Sequence, residues 1–516
     1  MFKFKLLFVL CNKILNPIMK TDNERSKTIK AGILEATEAL MGRLRTSYGP
    51  KGLDKMILSG KDCTVTNDGA TILKFFKDHP VHNILADVSR TQDVNCGDGT
   101  TSVVLLICSI FEKLTFEENG RKISKAMGIA KEIASQHIDN VKVPASDIMS
   151  AALTALNSKI ANKNVNMAKI AIEALANYEM RDIKIYKRFG GNIDDISIHK
   201  GIIIPLLKGN VNSKNENMRK VQAIQFCISA PKTNMDSKVN IKNYKEMEKF
   251  VEEEKEYLLK IINKIKETGT DLIIVQKSLL RESVSVLGMH LLKKAGIDVI
   301  DGIERSELSF LCDKLKIQPC SDISLIEEPS TINLKVIADE RDEYSSLGDL
   351  EKRVKLINIE MEGSCTIIVD GIDQVVVDES VRSLNDVLCV IKSLNDDPFI
   401  VPGGCAIETG IGVKLEEYQG DYKLLVDKIS EGFLEMTHIL ASNAGYYTVD
   451  VVNKLKIKIK ENWNLGISMR KEPISDMLNE DNVLQPSSVT KSAILLALET
   501  VEMLLKIDDM LPTHNL

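Results

Sequence analysis

Residues 96–107 read CGDGTTSVVLLI, which places a carboxylate between two glycines, then three hydroxyls, then an apolar run. Gly97 and Gly99 permit positive φ angles and let backbone N–H groups approach a bound group closely. Asp98 and the hydroxyls after it are oxygen donors of the kind that Mg²⁺ prefers. A helix that begins here offers an anion its first N–H groups and the positive end of its dipole. The stretch therefore indicates a phosphate and magnesium site, although Gly-Asp-Gly alone is more often an ordinary turn.

The composition indicates a globular protein rather than a disordered one. The chain has 516 residues, of which 44% are hydrophobic and 27% charged. A chain of this length usually divides into roughly two or three domains. The formal net charge of −6 and the pI near 5.8 argue against nucleic acid as a partner, because affinity for a phosphate backbone comes from clustered Lys and Arg.

The cysteines and the first residues bear on the compartment. Ten cysteines are scattered without any Cys-x-x-Cys, which argues against a zinc or dithiol site and favours reduced thiols in the cytoplasm. Residues 1–18 contain lysines followed by a short apolar run, as in a secretory signal. The run is too short to span a membrane and no small-residue cleavage pattern follows it. We expect a dispensable extension, Met19 as a possible start, and no membrane partner.

The periodicity predicts helical chain ends around an α/β middle. Residues 24–44 and 488–510 carry apolar residues at helical spacing. In the middle, RDIKIYKRFGGNIDDISI (181–198) predicts a hairpin around its paired glycines, and IQFCISAP (224–231) predicts a buried strand. A long charged helix, the buried strand DLIIVQ, a second helix (278–296) and the extended IDVI follow. We therefore expect one domain made from both termini, with an α/β insertion between them.

Three further short stretches suit contact with a nucleotide. The loop SYGPKG (47–52) brackets a lysine with glycines, although it also suits a helix-ending turn. In TNDGAT (66–71), Asp68 stands on a tight turn, with a plain hairpin turn as the alternative. VPGGC (401–405) offers a backbone that a ligand can approach closely, or a plain loop. Neither the Walker phosphate loop nor the dinucleotide fingerprint occurs, so no single motif explains the chemistry.

Taken together and in order, these motifs resemble the group II chaperonins, and specifically those of the cytosolic eukaryotic ring. The resemblance runs from about residue 24 to about residue 510. It is carried by YGPKGLDKMI, TVTNDGATIL, DVNCGDGTTSVVLL, LNSK, RDIKI, GGNIDD, QFCISAPKTNMD, DGIER and KIDD. The resemblance implies a multidomain α+α/β protein with a mainly helical equatorial ATP-binding domain, a small α/β intermediate hinge domain and an α/β client-binding apical domain with a helical protrusion. These domains correspond to residues 19–143 with 394–516, 144–205 with 361–393, and 206–360.

The resemblance also implies a role for individual residues. Asp98 matches the magnesium ligand, and Asp68 and Asp386 match the catalytic carboxylates, the first beside the γ-phosphate and the second on the attacking water. Lys159 matches a lysine that senses the γ-phosphate, although a surface lysine on a helix is an equal alternative. The remaining matches are nucleotide contacts: Ser47, Gly49, Pro50, Lys51, Gly99, Thr100, Thr101, Gly404 and Gly466.

Two positions depart from the family pattern. Cys405 stands where relatives usually have a third glycine, and its side chain is expected to crowd the nucleotide. Ser468 stands where relatives often have Asn or Asp, which removes a polar contact. Neither position changes a catalytic carboxylate, so we expect nucleotide binding to be altered before the chemistry.

The middle of the chain is expected to contact clients and to cover them. The stretch from Pro231 to about Lys266 matches the protrusion that forms a built-in lid; the alternative is a helix packed wholly on its own domain. Its apolar face consists of Met247, Val251, Leu258, Ile262 and Ile265. The helix after it carries an apolar stripe that we expect in the core, and four candidate client contacts: Arg281, Ser285, Met289 and Lys293.

The resemblance implies a cytoplasmic ATP hydrolase that uses ATP and Mg²⁺ to close a double-ring chamber over unfolded client proteins, including actin- and tubulin-like clients. The implied partners are the other subunits of a hetero-oligomeric ring. Two alternatives stay open at this point: a ring-completing structural subunit with little hydrolysis of its own, and a free small-molecule kinase that uses the same phosphate loops. The size of the assembly separates the kinase from a ring.

Overall fold

The computed structural model describes residues 22–59, 62–76, 79–114, 120–145, 147–157, 159, 164–206, 209–210, 217–229, 244–278, 281–326, 329–343, 352–360, 363–470 and 472–509. The predicted extension over residues 1–18 lies outside these ranges. The chain divides into two compact units, one formed by Met1–Ile172 with Asp378–Leu516 and the other by Glu173–Val377. The three predicted domains, with their boundaries, stay a prediction.

The first unit is mainly helical and contains both ends of the described chain. Its helices are α1 (Asp22–Leu44), α2 (Gly69–Leu73), α3 (Pro80–Cys96), α4 (Thr100–Leu114), α5 (Gly120–Val141), α6 (Ile148–Leu156), α12 (Ala406–Glu417), α13 (Lys423–Ala444), α14 (Thr448–Lys458) and α15 (Ser487–Leu505). Its strands are β1 (Lys55–Ser59), β2 (Asp62–Thr66), β3 (Val143–Pro144), β14 (Phe399–Pro402), β15 (Leu465–Ile467), β16 (Ile474–Asp476) and β17 (Leu484–Pro486). The chain passes between the units within α7 (Val165–Asn177) and α11 (Gln374–Asp396).

Helix α4 lies at the centre of this unit and begins directly after the Gly-Asp-Gly turn. It packs against α1, α3, α13 and α15. The run from Val103 to Ile107 is at most 3% exposed, so the helix is buried on every side. A helix that is apolar all round is stable only in the interior of a protein. The apolar run after the turn therefore anchors the Gly-Asp-Gly loop to the core.

The second unit is an α/β body with a second, smaller sheet. Its helices are α8 (Tyr244–Glu267), α9 (Val286–Ala295) and α10 (Arg305–Leu315). Its larger sheet has the order β6-β12-β11-β8-β9-β10-β7 and its smaller sheet the order β4-β13-β5. The strands are β4 (Ile183–Phe189), β5 (Ser197–Lys200), β6 (Ile202–Leu206), β7 (Gly209–Asn210), β8 (Asn217–Ile224), β9 (Leu272–Gln276), β10 (Asp298–Ile303), β11 (Ser330–Glu343), β12 (Lys352–Ile359) and β13 (Cys365–Gly371).

The parallel part of the larger sheet has the predicted α/β connectivity. Strands β8, β9 and β10 pair in parallel, with α8 and α9 as the connections between them. Parallel neighbours need such a crossover, and a helix usually provides it. Together with the helical first unit, this arrangement confirms the predicted multidomain α+α/β class.

Two local predictions for the middle of the chain are wrong. The segment 181–198 was predicted as a hairpin, but β4 and β5 do not pair with each other, because the fully buried β13 lies between them. The strand predicted at 224–231 instead covers Asn217–Ile224. The strand ends at Ile224, although Ile228 beyond it is also buried. The apolar residues after Ile224 therefore reflect burial in the core and not membership of the strand.

The helix of the predicted protrusion, α8, is buried on its apolar face only in its second half. Leu258, Ile262 and Ile265 are at most 2% exposed and belong to the core of the second unit. Met247 and Val251 on the same predicted face are 55% and 53% exposed. The helix is thus not packed along its whole length, and residues 230–243 before it lie outside the described ranges.

One buried histidine in the first unit makes the stability of the fold depend on pH. His137 on α5 is 4% exposed, and its ring lies 5.0 Å from the ring of Trp463 in an edge-on contact. Gly410 on α12 leaves room for it, since a Cβ there would lie 2.3 Å from His137 Nε2. Burial, with a smaller contribution from Lys414, lowers the pKa of His137 to about 4. The imidazole is therefore neutral in the folded chain.

The free energy of unfolding is expected to fall as the pH drops, because there is a pH range in which His137 is protonated in the unfolded chain and neutral in the folded one. That range lies between about 6.5 and about 4, and the loss amounts to about 3 kcal/mol at its lower end. Unfolding can be followed through Trp463, the only tryptophan. His137→Leu should flatten the pH dependence, whereas His290→Leu, at an exposed position on α9, should not change it. An unchanged profile in His137→Leu would contradict this assignment.

Among the described residues, no helix combines the length and the apolar character that crossing a membrane requires.

Candidate nucleotide-binding site

A cavity of about 340 Å³ lies within the first unit, beside the start of α4. Segments far apart in the sequence form its walls. Most of the predicted nucleotide and catalytic residues line it: Ser47, Gly49, Pro50, Asp68, Asp98, Gly99, Thr100, Thr101, Lys159, Asp386 and Gly404. Lys51 and Gly466 are not in the lining.

The turn before α4 presents a carboxylate and the N-terminus of a buried helix to the cavity. Gly97, with a φ of 69°, ends α3 by donating its N–H to two carbonyls of the last turn, at 2.8 and 3.3 Å. Gly99, with a φ of 79°, leads into α4. Residues with side chains rarely adopt this backbone conformation, so both glycines are required by the turn. Asp98 lies between them and accepts a hydrogen bond from the Gly99 N–H at 2.6 Å.

Asp68 occupies the N-cap of α2 rather than a hairpin turn. Its carboxylate accepts from the N–H of Thr71 at 3.0 Å, from the hydroxyl of Thr71 at 2.7 Å and from the hydroxyl of Thr100 at 3.1 Å. Burial by itself would raise the pKa of Asp68, but the Lys159 ammonium and these donors outweigh it and lower the pKa below the usual value. Asp68 is therefore held as a carboxylate, in a fixed orientation against the start of α4.

Gly69 allows α2 to lie directly against α4. A Cβ at this position would lie 2.6 Å from the hydroxyl oxygen of Thr101 and 2.9 Å from its backbone. Real Cβ atoms do not approach backbone this closely. The Asp-Gly pair therefore places Asp68 beside the hydroxyls that follow Asp98. In this way it joins two segments that are separate in the sequence.

Lys159 and Asp386 form an ion pair in the wall of the cavity, with side chains 8% and 16% exposed. The Lys159 ammonium also attracts Asp68 and lowers its pKa. The pKa of Asp93, on α3, is raised by burial and by the charge of Asp68, while Lys74 and, less strongly, Lys159 oppose this rise. The Lys159 ammonium thus interacts favourably with Asp68, Asp93 and Asp386.

Comparison with known proteins identifies the family. The sequence matches the TCP-1/cpn60 chaperonin family over residues 40–515. The chain belongs to this family. It is therefore a chaperonin, as the motifs predicted.

Individual relatives are similar along almost the whole chain. The T-complex protein 1 subunit delta of Encephalitozoon cuniculi is 41% identical over 501 residues, which cover 95% of this chain and 99% of the relative. The proteins of the same name from Rattus norvegicus and Homo sapiens are each 34% identical over 520 residues, covering 96% of this chain and 95% of the relative. The chaperonin is thus similar to the delta subunit in particular.

The loop SYGPKG (47–52), a predicted phosphate contact, has some residues in the cavity wall and others that hold the fold. Gly49 has a φ of 88°, and a Cβ there would lie 2.5 Å from Leu440, so this turn needs a glycine. Ser47 lines the cavity, while its hydroxyl donates to the carbonyl of Leu53 at 3.0 Å. Lys51 points away and donates to the carbonyl of Ala444 at the end of α13, at 3.2 Å. The structure therefore does not bring Lys51 to the other predicted phosphate contacts.

The loop VPGGC (401–405) has a left-handed backbone at Gly404 and also at Cys405, where the sequence departs from the family pattern. Gly404 and Cys405 have φ angles of 63° and 58°. A non-glycine residue in this conformation costs about 1–2 kcal/mol. The Cys405 thiol is buried, lies 3.4 Å from the Tyr48 hydroxyl and forms part of the cavity wall. Gly466 supports the loop from outside the cavity, since a Cβ there would lie 2.9 Å from the Gly404 carbonyl oxygen.

Ser468, the second departure, stabilises the turn next to the cavity. It is 2% exposed, and its hydroxyl accepts from the Arg470 N–H at 3.1 Å. The Arg470 guanidinium then pairs with Asp481 at 3.2 Å, and both residues line the cavity. The serine thus contributes a polar contact within the protein.

Tyr48 and Glu408 are among the cavity residues that the sequence did not predict. Tyr48 lies within the SYGPKG loop, and Glu408 lies three residues after Cys405. Burial raises the pKa of Glu408, and burial together with Cys405 and Glu408 raises the pKa of Tyr48. Tyr48 lies inside one predicted loop and Glu408 lies close after another, and this proximity is the sequence signal for both residues. Phosphate is typically contacted by glycine backbone and cations, so the motifs gave no reason to include a tyrosine or a glutamate.

The four candidate client contacts belong to the second unit and lie in or near α9. Ser285 is the N-cap of α9 and accepts from the Gly288 N–H at 3.0 Å. Met289 is partly buried against the core, whereas Lys293 is exposed and Arg281 is half-buried. The predicted core stripe on the same helix does pack into the core. Client contact at these residues stays a prediction.

Proposed function

We propose that this chaperonin binds and hydrolyses Mg·ATP in the cavity beside α4, and that it couples this cycle to the folding of client proteins. The observation that carries the proposal is the meeting of Asp68, Asp98, Lys159 and Asp386 in one cavity. These residues come from four separate segments of the sequence. Phosphoryl transfer depends mainly on positioning and on neutralisation of charge, which is what such a set of groups provides.

The residues at the start of α4 suit a magnesium ion that is bound together with a nucleotide. Among the described residues, no group of three or more His, Cys, Asp or Glu side chains is arranged to hold a metal ion alone. Magnesium in nucleotide sites is typically held by one or two carboxylates, with the phosphates and water completing its shell. Asp98, with the hydroxyls of Thr100 and Thr101 beside it, matches this requirement. When bound, Mg²⁺ neutralises charge on the phosphates.

The chain's own groups then divide the work of hydrolysis. The N–H groups of Gly99, Thr100 and Thr101 bind phosphate oxygens at the start of α4, and for this the Gly99 N–H exchanges its hydrogen bond to Asp98 for one to phosphate. Asp386 orients the attacking water and accepts its proton, as a general base. Asp68, whose lowered pKa keeps it ionised, fixes the Thr100 hydroxyl and faces the terminal phosphate. Lys159 pairs with Asp386, and we propose that it contacts the terminal phosphate as well.

The proposed working unit is a cytoplasmic hetero-oligomeric double ring. The named relatives are subunits of T-complex protein 1, and we propose that this chain likewise assembles with other subunits of such a ring. The clients would be unfolded proteins, including actin- and tubulin-like ones, enclosed beneath the α8 protrusion. Membership of the chaperonin family argues against the free small-molecule kinase.

Removal of the Asp98 carboxylate tests the proposed nucleotide site. In the assembled complex, Asp98→Ala is expected to weaken Mg²⁺-dependent ATP binding to this chain at least about tenfold, because a charge-assisted contact contributes about 1.5–3 kcal/mol. Photoaffinity labelling with azido-ATP, followed by mass spectrometry of this chain, measures its own share. Asp87→Ala, at an exposed position on α3, is the matched control and should bind ATP normally. Unchanged labelling of Asp98→Ala would exclude this magnesium site.

A ring-completing subunit with little hydrolysis of its own is the second candidate. The strained, thiol-bearing turn at Cys405 favours it, because this side chain occupies part of the wall next to the predicted nucleotide contacts. The two candidates differ in the fate of bound ATP. A catalytic subunit converts the azido-ATP on this chain to ADP, whereas a ring-completing subunit retains it as ATP.

A further inference from the structure

Helix α11 contacts two different segments at points one turn apart, Lys159 and the Gly-Asp-Gly turn before α4. At the first, Asp386 pairs with Lys159. At the second, Cys389 packs onto Gly97, where a Cβ on the glycine would lie 2.2 Å from Cys389 Cβ and 2.5 Å from its sulfur. Residues three apart share one face of a helix, so Asp386 and Cys389 face Lys159 and the Gly-Asp-Gly turn from the same side of α11. Cys389 thus occupies the space that the missing side chain of Gly97 leaves open.

We propose that Cys389 is a positioning residue, whose contact with Gly97 sets the distance of Asp386 from the Gly-Asp-Gly turn (residues 97–99). This inference rests on the proposed ATPase function of the cavity. A helix turn is rigid, so a group that pushes Cys389 outward carries Asp386 with it. A displacement of about 1 Å at a catalytic group lowers the rate by about 100-fold. The small cysteine and the bare glycine together permit the close approach.

The surroundings of Cys389 favour a packing role over a chemical one. The side chain is half-buried, and burial, with a further contribution from Asp93, raises the pKa of its thiol to about 11. Nucleophilic cysteines have lowered rather than raised pKa values. The thiol is therefore neutral and acts through its size.

A size series at this position tests the proposal in the assembled complex. Cys389→Leu is expected to leave azido-ATP labelling of this chain within about twofold of the unaltered protein, while conversion of the bound ATP to ADP slows at least about tenfold. Cys389→Ser keeps the size and is expected to restore conversion to within about threefold. Lys392→Leu adds the same side chain at an exposed position on α11 and should have no effect. Normal conversion in Cys389→Leu would overturn the proposal.

A paired substitution tests the contact itself. Gly97→Ala places a Cβ where Cys389 packs, so it should slow conversion of ATP as Cys389→Leu does. Addition of Cys389→Gly removes one side of the clash and is expected to recover at least about threefold of the lost rate, with the double variant faster than Gly97→Ala alone. Strictly additive effects would show that the two positions act independently and would contradict the inference.

The outcomes of these substitutions separate the two proposals. Failure of the unaltered chain to bind or convert ATP would refute the proposed function. If Asp386→Ala blocks conversion but Cys389→Leu does not, only the positioning role fails.

Discussion

Replacement of Asp386 by Ala is expected to leave ATP bound to this chain but unhydrolysed. Asp386 is the carboxylate from α11 that lines the cavity, and it lies outside the segments predicted to bind phosphate. Loss of a general base typically lowers a rate by about 100- to 10,000-fold. The nucleotide on this chain, captured with labelled azido-ATP in the assembled complex, should therefore remain ATP in the variant and become ADP in the unaltered protein.

The control for Asp386→Ala is Asp396→Ala, which removes an exposed carboxylate near the end of the same helix. It should convert ATP at the normal rate, because it changes the charge of α11 without touching the cavity. ADP formation at the normal rate on the Asp386→Ala chain would show that another group activates the water. A loss of ATP binding instead would assign Asp386 to binding rather than to catalysis.

Removal of Asp370 is expected to destabilise the smaller sheet of the second unit by about 3–5 kcal/mol. Asp370 on β13 lies directly opposite Arg188 on β4, and the guanidinium donates two hydrogen bonds to the carboxylate, at 2.6 and 2.5 Å. Asp370 is fully buried and Arg188 is 12% exposed. Asp370→Ala leaves a buried guanidinium without its carboxylate. Amide hydrogen exchange over residues 183–189 and 365–371 measures the loss of protection.

Two further variants distinguish this pair from a surface contact. Glu179→Ala breaks the pair with Arg181, whose side chains are 68% and 78% exposed, and it should cost less than about 1 kcal/mol. Arg188→Met combined with Asp370→Leu replaces the buried charges by apolar groups and should recover most of the lost protection. Normal exchange in Asp370→Ala would mean that the pair contributes nothing to the sheet.

The parts of the fold that follow from local pattern were predictable. The apolar run after Asp98 predicted a buried helix, and α4 is buried on every side, because only the interior can accommodate such a segment. The amphipathic first and last helices and the alternation of strands and helices in the middle were also confirmed. Each helix forms its backbone hydrogen bonds within one continuous segment. Each crossover helix follows one strand and leads into the next strand of the sequence.

Strand pairing was the part of the fold that local pattern did not determine. Strands β4 and β5 are near neighbours in the sequence, yet both pair with β13, which comes from residues 365–371. The buried β13 satisfies the hydrogen bonds of both strands and brings an apolar surface that neither supplies alone. Pairing with a strand so distant in the sequence produces no pattern of apolar and polar residues in β4 or β5 that would predict it.

The site was predictable in composition but not in its internal contacts. Glycines, carboxylates and hydroxyls at the predicted positions line one cavity. The ion pair of Lys159 with Asp386 joins segments far apart in the chain, and spacing alone gives no sign of it. Lys51, which stands in a glycine-rich loop, instead bonds the end of α13, because a helix C-terminus also attracts a cation. Which acceptor a long side chain reaches depends on packing.

The most direct test of the account is a high-resolution structure of the assembled complex with a non-hydrolysable ATP analogue and Mg²⁺, refined at this chain's own cavity. The account predicts phosphate density against the N–H groups of Gly99, Thr100 and Thr101, magnesium at Asp98, and Asp386 facing the terminal phosphate. An empty cavity in this chain, beside occupied cavities in its neighbours, would contradict the proposed ATPase function and would leave a ring-completing chaperonin subunit.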